Sequence, residues 1–370
     1  MRDRIRTLIV DDSAIVRDVL ERGLALHPDI EVVGKASDAF SARDRIVLLR
    51  PDVVTLDVEM PGMNGIEFLR RLLPQYPIPV IVVSAVTAEG SARAFEALSA
   101  GAVDVVPKPR GSDREGLARM VGELADRIRE AAAADVGKIP RRSSPGNRAR
   151  DPRNIHDAPH AKAARGAGDS SARVLAIGAS TGGTAVIGAM VPEFPADMPG
   201  TLIVQHMPPV FTRLFAESLD RASRVSVREA KDGDAVEDGL VLVAPGDLHM
   251  TLARRDERWF VRCLPGEKVS GHRPSVDVLF SSVADAAGSR AVGVLMTGMG
   301  RDGADGLLRM REAGARCFAQ DEATSVVFGM PREAILNGAA ERAVPADDIA
   351  GVAIAALASR AGKGAGRWEP

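Results

Sequence analysis

A serine, a histidine and an aspartate each stand just past the end of an apolar run in the second half of this chain. Ser180 follows Val174-Leu175-Ala176-Ile177-Gly178-Ala179 and is followed at once by Thr181-Gly182-Gly183 and a helix-like segment. His206 ends the run Thr201-Leu202-Ile203-Val204-Gln205, and Asp302 lies a short turn beyond residues 291–296. A serine hydroxyl is a weak nucleophile until a base takes its proton, and a histidine oriented by a carboxylate is such a base. Each residue alone has a plainer reading: a tight turn or anion-binding loop for the Ser180 segment, a satisfied strand-end histidine for His206, a helix cap for Asp302. Their joint placement at three strand ends favours a Ser-His-Asp triad, because the carboxyl ends of parallel strands gather along one edge of an open sheet.

A second constellation lies near the N-terminus. Asp11 and Asp12 follow the first apolar run, Asp57 ends the third and Ser84 the fourth, and Lys108 follows the fifth with Pro109 after it. Three carboxylates brought together repel one another, and a hard divalent cation with oxygen ligands relieves that repulsion. Mg²⁺ suits such a site, and a lysine beside a small hydroxyl suits an incoming phosphoryl group. Taken singly, Asp11-Asp12 would cap a helix and Lys108 would be a surface charge. The full set at matching strand ends argues against both.

The elements that must position these residues follow from the hydrophobic pattern. Strands are expected at 5–10, 31–36, 52–56, 80–84 and 102–106, with helical spacing between them, as in Ile15, Val19, Leu20 and in Ile66, Leu69, Leu73. Five strand-helix repeats imply a doubly wound α/β domain with a five-stranded parallel sheet. Residues 137–170 break the pattern with Pro140, Pro145, Pro152 and Pro159, many arginines and few large apolar side chains. Such a stretch reads as a flexible linker. Beyond it a second α/β domain with a mostly parallel sheet is expected, and the strand-rich segment 225–261 should add antiparallel pieces. The expected division is 4–130, a linker over 131–171, and 172–360.

Composition narrows the function classes. Of the 370 residues 45% are hydrophobic and 26% charged, and the formal net charge is -2, which is no polyelectrolyte signal for nucleic acid. The two cysteines, Cys263 and Cys317, have no metal-type spacing. No run approaches the ~18 to 20 apolar residues of a membrane span, and the N-terminus leads into a strand rather than a signal segment. A cytoplasmic protein without membrane insertion is expected. The Ser180 loop lacks the Gly-Lys-Ser/Thr signature of a nucleotide site.

Residues 4 to 130 resemble the receiver domain of two-component response regulators, through Val10-Asp11-Asp12-Ser13, Leu56-Asp57-Val58-Glu59-Met60-Pro61-Gly62 and Pro107-Lys108-Pro109. The resemblance implies that Asp57 is the phosphoacceptor and that Asp11, Asp12, Asp57 and the Glu59 carbonyl hold Mg²⁺. It implies that Ser84 and Lys108 bind the phosphoryl oxygens, with Lys108–Pro109 a candidate cis bond. Many receivers place an aromatic switch residue where this chain has Val105. With the second half included, the chain resembles the chemotaxis response-regulator protein-glutamate methylesterases, the CheB family. The carrying motifs are Gly178-Ala179-Ser180-Thr181-Gly182-Gly183, Gln205-His206-Met207-Pro208-Pro209, Gly271-His272-Arg273-Pro274-Ser275-Val276-Asp277 and Met296-Thr297-Gly298-Met299-Gly300-Arg301-Asp302-Gly303. That likeness implies a phosphorylation-activated hydrolase acting on glutamate methyl esters of methyl-accepting chemoreceptors and deamidating receptor glutamines. It implies a chemotaxis histidine kinase as phosphodonor, no cofactor for the esterase step, Met299 at the oxyanion and Thr181 in support. His272 either lines the cleft or is structural. The alternative is a non-enzymatic regulator whose second domain only binds a partner.

Overall fold

The computed structural model describes residues 4–85, 87–109, 114–138, 173–256 and 258–359. In the first part, β1 (Ile5–Val10), α1 (Ala14–Leu24), β2 (Ile30–Ala36), α2 (Ala39–Leu49), β3 (Val53–Leu56), α3 (Gly65–Leu72), β4 (Val80–Ala85), α4 (Ala88–Ser99), β5 (Asp104–Lys108) and α5 (Arg114–Ala132) alternate as expected. The strands form one parallel five-stranded sheet in the order β2-β1-β3-β4-β5. The order reverses between β1 and β3, so the chain after each of them diverges there and opens a crevice at the strand ends. Strand β5 starts two residues later than its hydrophobic run and extends through Pro107 to Lys108. Among the described residues the cis peptide bond is Arg273–Pro274, not Lys108–Pro109.

The second part contains β6 (Val174–Ala179), α6 (Gly183–Met190), β7 (Thr201–Gln205), α7 (Phe211–Ala222), β8 (Ser226–Glu229), β9 (Leu240–Val243), β10 (His249–Arg255), β11 (Arg258–Leu264) and α8 (Val276–Ala287). It continues with β12 (Ala291–Leu295), α9 (Ala304–Glu312), β13 (Arg316–Gln320), α10 (Met330–Leu336), β14 (Arg342–Val344) and α11 (Ile349–Ala358). Seven strands make one sheet in the order β14-β13-β12-β6-β7-β9-β8, and its neighbours pair in parallel throughout. The antiparallel piece expected within this sheet is instead a separate β10-β11 hairpin. Its inner face, Met250, Leu252, Trp259, Val261 and Cys263, is buried with Leu279, Phe280 and Val283 of α8 in one apolar cluster, so the hairpin is completed by a helix rather than by the sheet. Strands β6, β7 and β12 are buried on both faces, which is why they read as continuous apolar runs without alternation.

The two parts touch. Helix α4 packs against α6 and α7, with Phe95 and Phe215 ring centroids 6.3 Å apart. The chain assigned to the linker begins structured: α5 runs to Ala132 and a 3-10 turn follows at Val136–Lys138. Within that stretch the Asp135 N–H donates to the Val326 carbonyl at 2.8 Å and Lys138 Nζ to the Glu322 carbonyl at 2.9 Å. The remainder of the linker assignment, 139–171, lies outside the described residues.

Candidate active site and phosphoacceptor pocket

In the second sheet the strand order turns at β6, with β7 on one side and β12 on the other. Ser180, His206 and Asp302 come from the chain just beyond these three adjacent strands. The His206 N–H donates to the Ala179 carbonyl at 3.1 Å, and the Ser180 N–H to the Thr297 carbonyl at 2.9 Å, so the three strand ends are tied together. All three side chains are buried. The three residues therefore meet at one sheet edge, where a side-chain hydrogen bond joins His206 to Asp302 and none joins the Ser180 hydroxyl to His206.

Its internal geometry is specific. His206 Nε2 lies 2.8 Å from Asp302 Oδ2, while Nδ1 is buried without a hydrogen-bond partner. With a proton on Nε2, donated to the carboxylate, the Nδ1 lone pair is the free base. The ring is used with the opposite nitrogens from the chymotrypsin arrangement, in which the aspartate takes Nδ1. Asp302 is held at the start of α8: Ser275 Oγ donates to Oδ1 at 2.7 Å, Val276 N–H to Oδ2 at 2.7 Å and Asp277 N–H to Oδ1 at 3.2 Å. Burial alone would raise this carboxyl, but the bonds from His206, Ser275 and Val276 outweigh it and bring it down to about 2. A helix start offers unpaired N–H groups and the positive end of the dipole, so it anchors an anion well. The plainer reading of Asp302 as the cap of its own following helix does not hold, since Gly303 occupies that position in α9.

The nucleophile turn is braced by residues the sequence did not single out. Gln205 Nε2 donates to the Ser180 carbonyl at 2.8 Å, and Thr297 Oγ1 donates to the Thr181 carbonyl at 2.9 Å while accepting from Val327 N–H at 3.0 Å. Gly298 must lack a side chain, because a Cβ there would meet the Met330 sulfur at 2.2 Å and the Ser180 Cβ at 2.7 Å. Among the described residues no acceptor is bonded to the backbone N–H of Thr181 or Met299, which leaves both free for an anionic oxygen. The Thr181 hydroxyl is directed elsewhere: it donates to Glu130 Oε2 of α5 at 3.1 Å. Glu130 in turn accepts from Arg127 at 3.0 Å, and Arg127 Nε is 3.4 Å from Asp104. This partly buried chain of charges joins the first part of the molecule to the residue beside Ser180. Charged residues three apart on a helix usually mark a solvated face, so nothing in the sequence pointed to it.

In the first sheet, Asp11, Asp12 and Asp57 present carboxylate oxygens within 4.8 Å of one another. Lys108 Nζ donates to Asp11 Oδ2 at 2.8 Å and to Asp57 Oδ2 at 2.6 Å. Burial by itself would depress the Lys108 ammonium, but Asp57 and Asp11 together hold it above its usual range. Asp11 is raised, by burial first, despite that ammonium. Ser84 Oγ donates to the Gly90 carbonyl at 3.1 Å, and the Glu59 N–H to Asp57 Oδ1 at 3.0 Å. Val105 is buried in the core. An all-oxygen donor set with one exposed member, Asp12, fits a hard cation that keeps several waters.

Comparison with known proteins identifies the family of each part. Residues 175–352 match the CheB methylesterase family and residues 7–120 the response regulator receiver domain. A protein-glutamate methylesterase/protein-glutamine glutaminase of Syntrophotalea carbinolica is 49% identical over 95% of this chain and 97% of its own. One of Anaeromyxobacter dehalogenans is 50% identical over 94% and 93%. The crystal structure of the Thermotoga maritima CheB methylesterase catalytic domain aligns at 36% identity and a TM-score of 0.49, covering 50% of this chain and 97% of that one. The chain belongs to the family of protein-glutamate methylesterases/protein-glutamine glutaminases that carry a receiver domain.

Proposed function

We propose that this chain hydrolyses glutamate methyl esters, and deamidates glutamines, on methyl-accepting chemoreceptors under the control of Asp57 phosphorylation. The observation that carries the chemistry is the buried His206–Asp302 pair beside Ser180, with one imidazole nitrogen committed and the other free. In this reading residues 172–360 catalyse, residues 4–130 receive the phosphoryl group, and 131–171 join them. The likeness to full-length enzymes disfavours a second domain that only binds a partner. No helix among the described residues is long and apolar enough to cross a membrane.

The Ser180 oxygen attacks the ester carbonyl as His206 Nδ1 takes its proton. The carbonyl electron pair becomes an oxyanion that the Thr181 and Met299 N–H groups receive. Collapse expels methoxide, which leaves as methanol with the proton returned from Nδ1; an amide loses ammonia instead. Water then attacks the glutamyl-serine ester, gives its proton to Nδ1, and the Ser180 oxygen recovers it on release of glutamate. Asp302 fixes the tautomer and offsets the imidazolium charge in both halves.

In the receiver pocket, Asp11, Asp12, Asp57 and the Glu59 carbonyl would hold Mg²⁺, which when bound offsets the charge of an incoming phosphoryl group. Asp57 accepts that group from a histidine kinase, and Lys108 and Ser84 bind its oxygens. Because Lys108 now bridges Asp11 and Asp57, phosphorylation must break one of those ion pairs. Glu130 of α5 in the same domain holds the Thr181 hydroxyl beside Ser180, and in this reading the unphosphorylated receiver inhibits. Methanol release from methylated receptor, compared between wild type and Ser180→Ala, tests the enzymatic reading. Comparable rates would return the partner-binding alternative.

A further inference from the structure

We propose that His272 is a positioning residue for the hydrolase, an uncharged aromatic plate stacked on the catalytic imidazole that fixes its plane and favours its charged form. The inference rests on His206 as the base. The two rings lie 3.8 Å apart between centroids and 8° from parallel. One hydrogen bond, Nε2 to Asp302, leaves a ring free to rock about that bond, and a flat neighbour against its face removes the freedom.

His272 is itself rigidly presented. Val269 and His272 exchange both backbone hydrogen bonds, at 3.1 and 2.9 Å, around Ser270 and Gly271 with φ of 51° and 82°. That is a two-residue hairpin with both central residues left-handed, the most compact way to reverse a chain. The His272 Nδ1 sits 2.8 Å from the Ser270 carbonyl, which assigns its proton to that nitrogen and fixes the ring. Three residues on, Ser275 both caps α8 and holds Asp302. One short segment therefore supplies the wall for the base and the anchor for its carboxylate.

The groups facing His272 are His206, Asp302 and, from α5, Arg127. Burial first, then the charges of His206 and Arg127, push it down, which favours its neutral form. A neutral π face beside an imidazolium attracts it, whereas a second cation there would oppose proton transfer from Ser180. The neighbouring trio His206, His272 and Asp302 does not read as a metal site. Imidazole lone pairs lie in the ring plane, and parallel stacked rings cannot both aim at one ion.

The test compares His272→Phe, His272→Arg and His272→Ala with His206→Ala in the full chain, phosphorylated by a small phosphodonor, by methanol release from methylated receptor across pH. Phenylalanine keeps the plate without charge, and its kcat should stay within about threefold of wild type. Alanine removes the plate: kcat should fall by about tenfold to a hundredfold at unchanged KM, the scale of a displaced catalytic group. Its acid limb should move to lower pH, because the imidazolium loses the π face that attracts it. Arginine is planar but charged, so its kcat should fall at least as far, with the acid limb moving to lower pH. Thermal melts and Asp57 phospholabelling confirm folding. Equal rates for the Phe and Arg variants, a wild-type rate for Ala, or an Ala-like rate for a folded Phe variant would each overturn the proposal. Activity retained by His206→Ala would overturn the triad reading instead.

Discussion

Two acidic sites stand at the same topological place on two parallel sheets, yet they differ in solvation. The receiver pocket buries Asp11 and Asp57, bridged by Lys108, but opens to solvent through the exposed Asp12. The hydrolase edge buries Ser180, His206 and Asp302, and Glu130 of α5 in the receiver bonds the neighbouring Thr181. A small phosphodonor can reach the first site as it stands. In the proposed function the open site takes control and the closed one the chemistry, with Arg127 and Glu130 as the link between them.

The largest effect should come from breaking the closed site alone. Ser180→Ala and His206→Ala should each lower methanol release by about 10⁴-fold or more, since such residues act as one unit. Asp302→Asn should be severe but leave more activity, and Asp57 phospholabelling should be normal in all three. A Ser180→Ala rate within tenfold of wild type would remove the nucleophile assignment. The reciprocal break is Asp57→Asn, which should abolish phospholabelling and stimulation while leaving basal hydrolysis intact. Label still incorporated at another residue with full stimulation would displace Asp57.

Loosening the link should give a smaller, opposite effect. Glu130→Gln weakens the acceptor for Thr181 and Arg127, and bonds to charged groups contribute roughly 1.5–3 kcal/mol. Basal activity of the unphosphorylated chain should therefore rise by about tenfold. Unchanged basal activity and unchanged stimulation would mean that this contact does not hold the receiver down.

The smallest effects are in pH-dependent stability, where the two regions have opposite signs. Asp302, lowered to about 2 from 3.8, contributes stability that is full above pH 3.8 and lost as pH falls through 2. Asp104 is raised to about 6 from 3.8 because burial, together with repulsion from Glu130, exceeds the pull of the shared Arg127. Its folded form holds the proton more tightly, so its contribution is full below pH 3.8 and lost as pH rises through 6. Melting temperature against pH should flatten between 4 and 6 in Asp104→Asn and between 2 and 4 in Asp302→Asn. Identical profiles for both variants would contradict the assignment.

Much of this was legible in the sequence because strands buried on both faces read as unbroken apolar runs, and chemistry-bearing residues end them. Ser180, His206, Asp302, Asp57 and Lys108 all stand at such ends. Ser275 was visible in a motif, but its bond to Asp302 joins two loops 27 residues apart, and no local pattern encodes that pairing. The stack of His272 on His206 depends on a reverse turn in a glycine- and proline-rich loop whose direction the sequence leaves open. The antiparallel hairpin was recognised as strands, but its alternating pattern does not say whether a sheet or α8 covers the apolar face.

Helix α5 buries Met120, Val121, Leu124 and Ile128 in the receiver core while Glu130, held by Arg127, reaches the hydrolase. This double duty limits how interchangeable the receiver is. A chimera carrying another regulator's receiver could retain the five-stranded sheet and the acidic pocket, and still accept phosphate. Unless its last helix supplied an arginine and a glutamate at these positions, it would leave Thr181 without its partner. Grafts should therefore be joined before α5 rather than after it, so that the helix travels with the enzyme it contacts.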